Sequence, residues 1–137
     1  MSEQLDQSHQ PLLVILENDD LVGEGLALMA RDAGYNAAIF KSFAEARATE
    51  TTSLGICAII SDFDLGSGPN GVQAAQMLRA ERTSSSPVLI VTATRHGHVE
   101  AAVRAAGFQI SSKPASPAFL RRWLAENTAC GAAAPLL

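Results

Sequence analysis

The sequence has little of what several classes of protein need. It carries ten basic side chains, only two of them lysines, spread along a chain of net charge −4. Because no basic stripe is present, we do not expect the chain itself to bind nucleic acid. The two cysteines, Cys57 and Cys130, stand in no metal-binding or redox spacing. They argue against a disulfide scaffold and favour a reducing compartment, with Cys57 as a small core residue.

Membrane and secretion signals are missing as well. No apolar run is long enough to cross a bilayer, and residues 1–10 are polar and lack the apolar core of a signal peptide. We therefore expect no membrane association and a cytoplasmic location. No internal repeat or long linker divides the 137 residues, a length typical of one domain. We expect a disordered arm over 1–10, one domain over 11–127 and a flexible tail over 128–137.

What the sequence does have is apolar residues, 47% of the total, grouped into five short runs. Runs of this length between turn residues are typical of buried strands in a parallel sheet. The predicted strands are Leu12–Leu16, Asn36–Phe40, Ile56–Ser61, Val88–Val91 and Phe108–Ser111. Helices are predicted over about 21–33, 43–51, 71–81, 98–106 and 117–127. Their N-caps are Asp19 or Asp20, Ser42, Asn70 and Ser116, and Gly34 and Gly107 end two of them.

This alternation of strands and helices predicts an α/β fold. The expected architecture is a single doubly wound domain in which a five-stranded parallel sheet has helices on both faces. In such a sheet the carboxyl ends of the strands lie along one edge, where ligand and reaction sites collect. Four predicted strands are followed there by polar side chains: Glu17, Asn18, Asp19, Asp62, Asp64, Thr92, Thr94 and Lys113.

Each of these residues has an ordinary explanation when it is taken alone. Acidic residues cap helices or solvate turns, threonine is common in strands, and most lysines are exposed surface residues. Their conjunction at one edge indicates a phosphoryl-transfer site. Clustered carboxylates suit Mg²⁺, a carboxylate can attack phosphorus, and an ammonium and a hydroxyl can stabilise the transferred oxygens.

Over roughly residues 11 to 127, the sequence resembles the receiver domains of two-component signalling. The matching features, in the family's order and spacing, are the acidic residues after the first strand, Ser61-Asp62-Phe63-Asp64-Leu65, Thr92-Ala93 and Lys113-Pro114. The segments Asp-Phe-Asp-Leu and Gly-Pro-Asn-Gly are similar to receiver modules of hybrid histidine kinases. The resemblance implies a flavodoxin-like (βα)5 fold and a response regulator that signals through protein contacts, as a monomer or weak dimer.

The resemblance also implies a role for each site residue. Asp62 would accept a phosphoryl group from a histidine kinase or phosphotransfer protein, without the chain being a turnover enzyme. Mg²⁺ would be held by Glu17, Asn18, Asp62 and the main-chain carbonyl of Asp64. Thr92 would move toward the phosphoryl group and Lys113 would pair with it. Asp19 and Ala93 would be auxiliary, and the Lys113–Pro114 bond would be cis.

Two departures from the family pattern leave alternatives open. Asn18 is neutral where the direct metal ligand is normally acidic, so the affinity for Mg²⁺ should fall. Ile110 stands where the family often has an aromatic ring that moves during activation. Both departures favour a second hypothesis, a pseudo-receiver that binds protein without being phosphorylated. A third is a phosphatase of the haloacid-dehalogenase type, because Asp62-Phe63-Asp64 resembles its motif, although that motif normally follows the first strand.

Overall fold

The structure, a computed structural model, describes residues 12–49, 55–82 and 84–128. Within these ranges, five strands and five helices alternate along the chain. They are β1 (Leu12–Leu16), α1 (Asp20–Asp32), β2 (Ala37–Phe40), α2 (Phe43–Ala48), β3 (Ile56–Ser61), α3 (Gly71–Glu81), β4 (Val88–Thr92), α4 (Gly97–Ala105), β5 (Gln109–Ser112) and α5 (Pro117–Asn127). The predicted arm over 1–10, Cys130 and the rest of the predicted tail beyond Thr128 lie outside the described residues.

The strands form one parallel sheet in the order β2-β1-β3-β4-β5. The chain runs outward from β1 to β2 and then returns to β3, so the strand order reverses between β1 and β3. That reversal is the topological switch point at which open α/β sheets place their sites. The predicted flavodoxin-like fold is confirmed.

Helices cover both faces of the sheet, each over its own apolar cluster. Successive strand residues point to opposite faces, so Leu13 and Ile15 pack with α1 and α5, whereas Val14 and Leu16 pack with α2, α3 and α4. Cys57 is buried on the α1–α5 face, as predicted for a core residue. None of the described helices combines the length and the apolarity that crossing a bilayer needs.

The predicted caps are confirmed, and Asp19 rather than Asp20 is the N-cap of α1. Several predicted boundaries are wrong by one to three residues. The helix after Ser42 ends at Ala48 instead of Thr51, because Thr49 is extended with φ −95° and ψ 130°. Phe108 precedes β5 instead of starting it, since its N–H donates to the Val103 carbonyl in the turn after α4. β4 extends to Thr92, which pairs with Ser112.

Candidate functional site

Three strands deliver charged side chains to one place on the carboxyl edge of the sheet. Glu17 follows β1, Asp62 follows β3 and Lys113 follows β5. Main-chain hydrogen bonds extend the strands to each of them: Glu17 N–H donates to Phe40, Asp62 N–H to Leu16 and Lys113 N–H to Thr92, at 2.9–3.0 Å. The sheet therefore fixes the Cα positions of all three residues.

The Lys113 ammonium lies between the two carboxylates. Its Nζ is 2.9 Å from Asp62 Oδ2, to which it donates a hydrogen bond, and 3.0 Å from Glu17 Oε1. The Glu17 contact is an ion pair only, because Oε1 has no hydrogen-bond partner among the described residues. The side chains of Glu17 and Asp62 are 1% and 10% exposed. The geometry therefore places one cation against two largely buried anions.

Burial and charge shift the pKa of two members of this cluster. Burial raises the pKa of Glu17, and the nearby Asp62 charge adds to this effect, while Lys113 and the Asp19 N–H oppose it. For Lys113, burial lowers the pKa, but the contacts with Asp62 and Glu17 together outweigh it and leave the pKa raised. Lys113 is therefore a cation throughout the neutral range, whereas the ionised form of Glu17 is held at a cost.

The predicted auxiliary and metal residues near β1 and β3 lie around this cluster. The Asp19 carboxylate caps α1 by accepting from the N–H groups of Leu21 and Val22, at 3.0 and 3.2 Å. Asp64 donates its N–H to Asp62 Oδ1 at 3.3 Å, while its own carboxylate accepts from Gly66. Asn18 is exposed. The side chains of Asp19 and Asp64 thus shape the loops and do not join the buried charges.

Thr92 is at the predicted edge, but its hydroxyl is engaged within its own loop. The side chain is buried, and Oγ1 donates to the Thr94 carbonyl at 3.0 Å and accepts from the Thr94 N–H at 3.3 Å. Ala93 is exposed beside it. The Lys113–Pro114 bond is cis, as predicted. Ile110 is half-buried and packs against the core under α2, α3 and α4.

Comparison with known proteins finds similarity in structure and not in sequence. No family model matches the chain, and no curated protein matches it. Solved structures do match. A CheY-like receiver domain protein of Methanospirillum hungatei JF-1 has a TM-score of 0.73 at 17% identity, covering 85% of this chain and 92% of that one. The chemotaxis protein CheY4 of Vibrio cholerae has a TM-score of 0.74 at 19% identity, covering 86% and 98%.

A third structure, from Chloroflexus aurantiacus J-10-fl and assigned as a response regulator, has 28% identity and a TM-score of 0.72, covering 85% of this chain and 96% of that one. The fold of the chain is that of response-regulator receiver domains. The predicted family resemblance is thereby confirmed at the level of the fold.

The donor atoms at this edge of the sheet have the chemistry that a magnesium ion needs. Glu17 and Asp62 offer carboxylate oxygens, one of them buried without a hydrogen bond, and Asn18 and the Asp64 main chain offer carbonyl oxygens. Hard oxygen donors of this kind are those Mg²⁺ prefers. However, among residues 12–49, 55–82 and 84–128, no three His, Cys, Asp or Glu side chains converge as a metal-holding group. These donors therefore fit Mg²⁺, but with one carboxylate fewer than a site in which residue 18 is acidic.

Sequence reasoning missed an apolar groove beside the charged cluster. The groove has a volume of about 190 Å³ and lies between α1 and the segment after β5. Its lining comprises Leu21, Val22, Gly25, Leu26, Met29, Val91, Lys113, Pro114 and Ala115. Leu21 is 81% exposed, and Leu28, on the same helix, is 69% exposed. Their spacing of seven residues, outside the buried stripe of α1, is the signal that could have revealed this surface.

Proposed function

We propose that Asp62 accepts a phosphoryl group from a phosphohistidine on a kinase or phosphotransfer protein, and that the receiver domain then signals through protein contacts. The observation that supports this best is the 2.9 Å contact between Lys113 Nζ and Asp62 Oδ2, made by residues 51 positions apart. A cation fixed at hydrogen-bond distance from the carboxylate stabilises both the anionic nucleophile and the anionic product of the transfer.

The chemistry is one exchange of bonds at phosphorus. An Asp62 carboxylate oxygen forms the new P–O bond, the P–N bond to the donor imidazole breaks, and its electron pair returns to the imidazole nitrogen. The product is an acyl phosphate. Lys113 neutralises charge on the phosphoryl oxygens. The Thr92 hydroxyl would leave its bonds to Thr94 in order to reach them.

Magnesium would be held by Glu17, Asn18, Asp62 and the main-chain carbonyl of Asp64. When bound, it supplies positive charge that offsets the charge of the carboxylates and the phosphoryl oxygens. The chain's own residues align the acceptor and exclude water, since Glu17 and Asp62 are nearly buried. Because Asn18 contributes no charge, we expect a weaker affinity than three carboxylates would give. Calorimetric titration of the wild-type protein and of Asp62→Asn with Mg²⁺ tests whether these residues hold the ion.

The groove beside Lys113 is proposed to receive the protein that carries the phosphohistidine. A donor histidine must reach Asp62, so the donor protein must cover the surface next to Lys113, and that surface is apolar. Leu21 lines this groove, and Leu21 and Leu28 are both exposed on α1. Burying apolar area there would stabilise the complex by roughly 25 cal/mol per Å² before the costs of association.

The direct test is phosphorylation by a small acyl phosphate in the presence of Mg²⁺, followed by intact-mass measurement. We expect wild-type protein and Asp32→Asn to gain one phosphoryl group, and Asp62→Asn to gain none. Asp32 is a suitable control because it is exposed on α1 and forms an ion pair with Arg121. Both residues are remote in sequence from Asp62. Labelling that survives Asp62→Asn would remove Asp62 from the acceptor role.

The pseudo-receiver hypothesis is favoured by the neutral Asn18, because no third acidic side chain joins the site among the described residues, and by the aliphatic Ile110. It predicts no labelling at any Mg²⁺ concentration. For the phosphatase hypothesis, Asp64 would serve as the acid, but its carboxylate accepts the Gly66 N–H at 3.0 Å within the loop. We propose that the domain is not a turnover enzyme, and steady hydrolysis of a chromogenic phosphate ester would contradict this.

A further inference from the structure

Helix α3 begins in very close contact with the main chain of the acceptor. A Cβ added to Gly71, the first residue of α3, would lie 2.0 Å from the Asp62 carbonyl oxygen and 2.8 Å from Ser61 Oγ. Real side chains do not approach a backbone atom so closely, so glycine is required at this position by space. Gly71 N–H also donates to the Phe63 carbonyl at 2.7 Å. The start of α3 therefore packs directly against the main chain of Asp62 and Phe63.

The side chain before the acceptor completes this contact. Ser61 is fully buried, and its hydroxyl donates to the Asp62 carbonyl at 2.8 Å. The pairing of β3 with β4 ends at Ser61, so the next carbonyl lies beyond the sheet ladder. On the other side, the Asp62 N–H donates to Leu16 of β1 at 3.0 Å. The main chain of Asp62 is thus held at its N–H by the sheet and at its carbonyl by Ser61.

A serine at this position is not explained by packing. Ile59, two residues earlier on the same face of β3, lies in the apolar cluster under α3. Another apolar side chain at position 61 would fill space but could not donate to the Asp62 carbonyl, and a larger one would meet Gly71. The small hydroxyl satisfies the carbonyl and leaves α3 room to close over it.

We propose that Ser61 and Gly71 are positioning residues for the phosphoacceptor. Together with the Asp62 carbonyl they form the acceptor latch, which fixes the Asp62 main chain so that its carboxylate stays at hydrogen-bond distance from Lys113. This inference rests on the proposed function of Asp62. Opening the latch lets the Asp62 peptide rotate and displaces the carboxylate, and a misplacement of about 1 Å at a reacting group can cost roughly 100-fold in rate.

The first test compares Ser61→Ala with Ser86→Ala, using phosphorylation by a small acyl phosphate at saturating Mg²⁺. Ser86 is a matched control, since it is buried and its hydroxyl donates at 2.8 Å to the Ile56 carbonyl at the opposite end of β3. We expect Ser61→Ala to lower the maximal rate constant about tenfold or more, with the half-saturating donor concentration unchanged. Ser86→Ala should retain the wild-type rate.

The second test compares two glycines that each begin a helix. Gly71→Ala should lower the rate at least as much as Ser61→Ala, whereas Gly97→Ala, at the start of α4, should leave it unchanged because the described residues leave open space there. If Gly71→Ala does not fold, the serine pair still decides the matter. Equal rates in Ser61→Ala and Ser86→Ala would overturn the acceptor latch.

A measurement without any donor separates this inference from the proposed function. The ¹³Cγ resonance of Asp62 reports the surroundings of its carboxylate. We expect it to shift in Ser61→Ala and to stay in place in Ser86→Ala. If wild-type protein takes up no phosphoryl group, the acceptor function fails, and this resonance alone decides whether the latch positions Asp62. An Asp62 resonance that is unchanged in Ser61→Ala, or equally changed in both variants, would refute the latch.

Discussion

Replacing Lys113 by methionine removes the cation shared by two nearly buried carboxylates. At about 3 Å and an effective dielectric constant near 20, each of the two contacts is worth about 5.5 kcal/mol of Coulomb energy. Desolvation of the three groups offsets most of this gain, so the measurable loss is that of breaking a buried pair, roughly 3–5 kcal/mol. The Lys113 side chain is 19% exposed, which favours the lower end, about 3 kcal/mol at pH 7.5.

The loss should depend on pH because Glu17 can escape it by taking up a proton. Burial already raises the pKa of Glu17, and removing Lys113 raises it further. A carboxyl group with a raised folded-state pKa contributes stability below its unfolded pKa, and this contribution is lost as the pH rises through the folded-state pKa. The destabilisation by Lys113→Met should therefore be smaller at pH 5 than at pH 7.5, by about 1 kcal/mol or more.

The assay is urea unfolding in the presence of a chelator, followed by the fluorescence of Trp123. This is the single tryptophan of the chain and is 4% exposed. Lys41→Met is the matched control, since it removes the other lysine and an ion pair of 2.9 Å to Asp20 whose side chains are 60% and 69% exposed. We expect no measurable change from it. If Lys113→Met costs no more than Lys41→Met, the account of a buried charge cluster is wrong.

Three further outcomes are expected. The contribution of Glu17 to the unfolding free energy should decline as the pH rises above 4.5, because its folded-state pKa is raised. Glu17→Gln removes this contribution and should flatten the decline, and an unchanged slope would contradict the raised pKa. Asn18→Asp should tighten Mg²⁺ binding roughly tenfold in a calorimetric titration; no change would remove residue 18 from the metal site. Changing Leu21 and Leu28 to serine should leave labelling by a small acyl phosphate intact but slow transfer from a phosphohistidine protein about tenfold or more, and equal slowing of both reactions would count against the groove.

The fold could be predicted from the sequence because each local signal agreed with the global one. Apolar runs of four to six residues alternated with capped helices, and the caps at Ser42, Asn70 and Ser116 are those the structure has. Boundaries were harder, since they depend on individual hydrogen bonds. Whether Phe108 belongs to β5 is decided by its N–H, which donates to Val103 in the preceding turn. No pattern of hydrophobicity encodes that choice.

The candidate site was predictable in its members but not in its internal contacts. Parallel strands must bring Glu17, Asp62 and Lys113 to one edge, so their proximity follows from the order of elements. That Lys113 contacts both carboxylates depends on side-chain geometry. The engagement of Thr92 with Thr94 is likewise a property of one loop.

The acceptor latch and the groove were missed for a different reason. The latch depends on the missing Cβ of Gly71, and the groove depends on Leu21 being exposed. Sequence patterns report side chains that are present, and they say little about how closely two segments approach. Only the three-dimensional structure shows that a Cβ at position 71 would lie 2.0 Å from the Asp62 carbonyl oxygen, which forbids any other residue there.

The order of the strands along the chain has a consequence for biosynthesis. Glu17 and Asp62 belong to strands that pair directly, whereas Lys113 is 51 residues farther along than Asp62. At about 5–20 residues per second, a ribosome needs roughly 3–10 s to add that stretch. During this interval a nascent β1–β3 pair would hold two anions together with no partner of opposite sign. Emergence of the last strand brings Lys113 to this pair, so the charged cluster is completed only when β5 has been made.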